Sequence, residues 1–102
     1  MGAHFITEHA LDRFREHHPQ ATMDDLWDHL RYGTAADPSA VKTLLQRTYN
    51  PEGDKYVLSP DRRGIFALGP DKYHGADYVV KTYMRLSPWH RELVLAWWPP
   101  GV

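Results

Sequence analysis

Apolar residues recur at helical spacing through the first half of the chain and at strand spacing through most of the second. Phe5-Ile6 is a short apolar lead-in. Over 8–17, Ala10, Leu11 and Phe14 share one helical face, Thr7 is a ready N-cap, and Pro19 stops the run. Met23, Leu26, Trp27 and Leu30 repeat at i, i+3, i+4 and i+7, which predicts a second helix capped by Thr22 and closed near Gly33. Asp24 and Asp25 suit the positive end of its dipole. A shorter third helix is predicted over 39–46, with Val41, Leu44 and Leu45 apolar.

The period then changes. Asn50-Pro51-Glu52-Gly53-Asp54 predicts a turn between two halves of one domain spanning 1–102. Strand formers fill 55–59, 64–68 and 78–86, and Pro60-Asp61-Arg62-Arg63 is short enough to close a hairpin. Strict alternation in the last strand puts Val80, Thr82, Met84 and Leu86 on a face that packs against the helices. Val79, Lys81, Tyr83 and Arg85 then fall on an open, basic and aromatic face. Ser87-Pro88 reads as a helix start, yet 93–98 reads equally as a strand. Trp89, Trp97 and Trp98 are expected to complete the core, the alternative being a patch for a partner protein. The fold class is α+β: two or three N-terminal helices packed on an antiparallel sheet of three to four strands.

Composition narrows the function classes. The 102 residues include no cysteine, which excludes disulfides, thiol nucleophiles and thiolate metal sites. No apolar run approaches the ~18 residues of a membrane span, and the opening residues do not resemble a signal peptide, so a cytoplasmic protein is expected. A net charge of −1 gives no global basic field. Against that plain background, seven histidines stand out.

His9 and Arg13 lie four residues apart and are neighbours on the first helix. An imidazole exchanges protons near neutral pH and a guanidinium braces phosphate, a minimal kit for cleaving RNA without a metal. Arg62 and Arg63 at the hairpin tip add cations, and Lys81, Tyr83 and Arg85 suit a phosphate backbone and a stacked base. No metal or other cofactor is expected. His17 and His18 are adjacent and diverge on a helix, and the remaining histidines show no pair at zinc-site spacing. Glycine-rich phosphate loops and nucleophile elbows are absent.

The segment Ile6-Thr7-Glu8-His9-Ala10-Leu11-Asp12-Arg13-Phe14 resembles the helix of the RelE/ParE-like small bacterial ribonuclease toxins, often grouped with barnase, EndoU and the RNase colicins. Helices first, Gly33, and the closing Val79-Val80-Lys81-Thr82-Tyr83 strand follow the same order. The resemblance implies a metal-independent endoribonuclease with RNA on the open sheet face, held in check by a cognate antitoxin or immunity protein. His9, Arg13 and Thr82 match its recurring positions, which implies catalytic roles for them. The slight acidity and the tryptophan-rich tail depart from the pattern.

Two readings therefore stand. In one, His9, Arg13 and Thr82 cleave RNA bound by Arg62, Lys81, Tyr83 and Arg85. In the other, the chain is a non-enzymatic protein-binding module, such as a phage-encoded inhibitor or an immunity protein, that uses its sheet face and its tail.

Overall fold

The protein is described by a computed structural model covering residues 4–45, 55–73 and 75–99; the turn expected over 50–54 lies outside these residues. In chain order the elements are β1 (His4–Ile6), α1 (Glu8–His17), α2 (Met23–Arg31), β2 (Thr34–Ala36), α3 (Pro38–Leu45), β3 (Lys55–Leu58), β4 (Gly64–Pro70), β5 (Tyr78–Arg85) and α4 (Pro88–Trp97). The strands form one sheet in the order β1-β5-β4-β3-β2. β1 runs parallel to β5, and every other pairing is antiparallel.

The architecture is α+β, but the expected counts need correction. Among the described residues there are four helices and a five-stranded mixed sheet, where two or three N-terminal helices on three to four antiparallel strands were expected. β1 and β2 are three residues each, too short for alternation to show, and β1 precedes the first helix. The tail is a helix, begun by Ser87, whose side chain accepts from the His90 N–H, with Pro88 in its first turn.

The caps fall where the side chains predict them. The Thr7 hydroxyl accepts the Ala10 N–H at 3.1 Å and donates to the Val80 carbonyl at 3.0 Å. One residue thus starts α1 and ties it to β5. Thr22 and Asp25 form a reciprocal capping box at α2.

Helices cover both faces of the sheet. Ala10, Phe14 and Leu26 pack with Phe66, Leu68, Val80 and Tyr83. On the opposite face Val41, Leu44 and Val94 pack with Tyr56, Leu58, Ile65 and Leu86. The open face expected on β5 is therefore not there, because helices lie on both sides of the sheet, and a bulge sets which side each residue takes. Leu68 pairs with Val80 and Ala67 with Thr82, which leaves Lys81 as an extra residue. The extra residue shifts the alternation, so Tyr83 turns in beneath α1 and is only 3% exposed. Thr82 and Met84, partners of Ala67 and Ile65, point to the α3/α4 side.

The tail also differs from expectation. Trp98 packs against the α3/α4 core, whereas Trp89 and Trp97 are 60% and 47% exposed. Arg62 fastens this end of the molecule. It sits at φ 58° in the β3–β4 turn with its side chain buried. Its guanidinium donates to the Trp98 carbonyl at 2.9 Å, the Ser59 carbonyl at 2.9 Å and the Thr34 hydroxyl at 2.7 Å. A cation is thus placed at the negative end of α4, where carbonyls lack helical partners. Arg62→Ala is expected to destabilise the protein by about 2–4 kcal/mol, since buried acceptors lose a charged donor. Arg62→Lys should recover little, because an ammonium lacks the three-way fork. Urea unfolding of the two variants checks both.

Candidate active-site cleft between α1 and β5

β1 pairs with β5 only over Tyr78, Val79 and Val80. Past that point α1 runs beside β5, and a cleft of about 400 Å³ opens between them. From α1 it is lined by His9, Arg13, Glu16 and His17, and from β5 by Thr82, Tyr83, Met84 and Arg85. Five of the residues singled out from sequence, His9, Arg13, Thr82, Tyr83 and Arg85, therefore meet in one place. They meet at a helix–strand seam and not on a sheet face.

His9, Arg13, Glu16 and His17 follow one another at i, i+4, i+7 and i+8, so a single stripe of α1 faces the cleft. That spacing was present in the sequence and would have added Glu16 and His17 to the site. Arg13 pairs with Glu16 at 3.2 Å, with both side chains about half exposed. An exposed pair of this kind contributes ~0–1 kcal/mol, so an incoming phosphate can displace it at small cost. Arg85 Nη1 lies 3.4 Å from His17 Nδ1. A guanidinium only donates, so His17 accepts on Nδ1 and keeps its own proton on Nε2.

Tyr83 forms the floor. Its ring packs edge-on to Phe14, with centroids 5.2 Å apart, and over Phe66 at 4.9 Å. The phenol end of the ring lies over Gly64, where a Cβ would collide with it. Burial and the nearby Asp61 carboxylate push the phenol from its ordinary value near 10 up to about 12, against the pull of Arg85 and Arg63. Tyr83 is therefore a neutral hydroxyl at physiological pH and a proton donor, not a base.

The remaining sequence candidates lie elsewhere. Lys81 lines a neighbouring groove with Thr7, His9 and Lys72, its stem packed over Gly69. His9 stands at the junction of the two depressions. Arg62 is not brought to the cleft, because its buried guanidinium is engaged by Trp98, Ser59 and Thr34. Its neighbour Arg63 lines a third depression with Asp61, His17, His18, Tyr83 and Arg85. Lys72, Lys81, Arg13, Arg85 and Arg63 thus border three consecutive depressions, a run of cations that the net charge of −1 conceals.

Comparison with known protein families, with curated proteins and with solved structures returns no match to this chain.

The Tyr83 shift gives a signed pH dependence. A phenol whose folded value is raised favours the folded state less as pH climbs from about 10 to about 12, because the unfolded chain loses its proton first. Stability should fall across that window in the wild type. The component due to this group should vanish in Tyr83→Phe, as read from urea midpoints between about pH 9 and pH 12.

Proposed function

We propose that the chain is a small endoribonuclease of the toxin type that cleaves RNA without a metal in the α1/β5 cleft. The observation that carries this reading is the meeting of His9, Arg13 and His17 from one helix with Thr82, Tyr83 and Arg85 from one strand. Cleavage by the 2′-hydroxyl needs a base for that hydroxyl, an acid for the leaving 5′-oxygen, and cations on the phosphate. His9 takes one proton-transfer role, and His17, with its proton on Nε2, supports the other. Arg13 and Arg85 face each other across the cleft as the phosphate clamp. Tyr83 closes the floor of the cleft and Thr82 borders it from β5. Lys81 and Lys72 on one side and Arg63 on the other extend the path for the polyanion, in keeping with backbone-driven binding.

The resemblance of the 6–14 segment to RelE/ParE-like toxins supports the same assignment, and with it a cognate antitoxin or immunity protein that covers the cleft. A second reading rests on a different observation. Trp89 and Trp97 are exposed on α4, across the sheet from the cleft, and indoles are favoured at protein interfaces. On that reading the molecule is a protein-binding module whose contact surface is α4.

Purified protein incubated with total RNA in EDTA should yield fragments ending in 2′,3′-cyclic phosphate. His9→Ala should slow cleavage by about 10²–10⁴-fold with an unchanged melting curve, and Arg13→Ala should chiefly weaken RNA binding. Activity that vanishes in EDTA and returns with a divalent ion would contradict the metal-free mechanism. A folded chain inert towards RNA under every condition would favour the binding module.

A further inference from the structure

Beyond the cleft, on the far side of Tyr83, three ligand-type side chains from separate segments converge. His18 follows the last turn of α1, His29 lies on α2, and Asp61 lies in the β3–β4 turn. One metal-ligating atom from each lies within 4.8 Å of the other two. We propose that these residues form a binding site for a zinc-type divalent transition-metal ion.

The orientation of the two rings supports the assignment. His18 Nδ1 is 3.2 Å from the Phe14 carbonyl, and His29 Nδ1 is 2.9 Å from the Asp25 carbonyl. A carbonyl only accepts, so both Nδ1 atoms carry a proton, and in the neutral imidazole the lone pair is then on Nε2. This is the outer-shell arrangement that fixes tautomer and aim in histidine metal ligands. The rings are further held by Phe14, against which His18 stacks at 4.4 Å and His29 packs edge-on at 4.9 Å. The Asp61 carboxylate is equally fixed. Its Oδ1 accepts the Ser59 hydroxyl at 2.6 Å and the Arg63 N–H at 3.0 Å, which leaves Oδ2 for a ligand.

Two imidazoles and one carboxylate select zinc-like ions over magnesium or calcium, which prefer all-oxygen shells. Metal–ligand distances of about 2.0–2.2 Å require the three atoms to draw together by roughly 1 Å, within reach of side-chain rotation. Three protein ligands leave a fourth position. It opens on the depression lined by His17, Arg63 and Arg85, where water or an anionic oxygen completes the shell. An ion here would join α1, α2 and the β3–β4 turn, segments whose packing is otherwise supplied by Phe14 and its neighbours. Ion binding here does not depend on the ribonuclease reading.

The test is calorimetric titration of the metal-stripped 102-residue chain with Zn²⁺, paired with thermal unfolding with and without the ion. One ion per chain and a raised melting temperature are expected. His29→Ala and Asp61→Asn should each weaken binding about tenfold or more, whereas His90→Ala should bind as the wild type does. Melting of each variant in EDTA separates loss of a ligand from loss of the fold, and Co²⁺ absorption at the site reports the coordination directly. Absence of binding by the folded wild type, or binding undiminished in folded His29→Ala and Asp61→Asn, would overturn the proposal. Because binding is read without RNA, failure of the ribonuclease assay leaves this result untouched.

Discussion

One extra residue in β5 determines where the chemistry-bearing side chains of this protein can meet. With Lys81 bulged out between the Val80 and Thr82 pairings, β5 changes the face presented by every later residue. Tyr83 and Arg85 turn towards α1 and away from the α3/α4 side. Because β1 stops pairing at Val80, α1 lies alongside that altered stretch and lends it His9, Arg13 and His17. Thr7 holds the geometry, since its hydroxyl caps α1 and also donates to the Val80 carbonyl next to the bulge. Glycines at 64 and 69 give the Tyr83 ring and the Lys81 stem the room that side chains there would take.

Around this seam the polar residues divide into those that hold the fold and those that face the outside. Arg62 and Arg63 are adjacent in one turn, yet they do opposite things. Arg62, at positive φ, reaches inward to join α4, β2 and the turn, while Arg63 borders an open depression. Burial alone costs a guanidinium dearly, so the inward residue has to find fixed acceptors, and three surround it. Phe14 has a similar double position. It fills the core beneath α1 and orders Tyr83, His18 and His29 around its ring. The cleft and the His18–His29–Asp61 cluster therefore share one apolar support.

Much of this was legible in the sequence, and the failures have physical causes. The helices at 8–17 and 23–31, their threonine caps and the three longer strands follow from periodicity and capping chemistry. The His9–Arg13 pair lies on the stripe of α1 that lines the cleft, and the same stripe carries two more residues, Glu16 and His17. The bulge was not legible, because nothing in Val79-Val80-Lys81-Thr82-Tyr83 distinguishes a regular strand from one with an extra residue. The predicted open face is covered because α3 and α4 take the side opposite α1 and α2, and the bulge decides which side receives Tyr83. Nor could spacing bring together His18, His29 and Asp61, since their proximity arises from tertiary packing of three segments. The tryptophans misled for a simpler reason: on a helix laid across a sheet only one side is covered, and Trp98 has it.

The most direct test of the α1/β5 cleft as the working site is a heteronuclear NMR titration with a short RNA made uncleavable by 2′-deoxy substitution. Shifts should concentrate on His9, Arg13, His17, Thr82 and Arg85, extend to Lys81 and Arg63, and weaken as salt is raised. Shifts confined to the exposed face of α4 around Trp89 and Trp97, or none at all in the folded protein, would contradict the account.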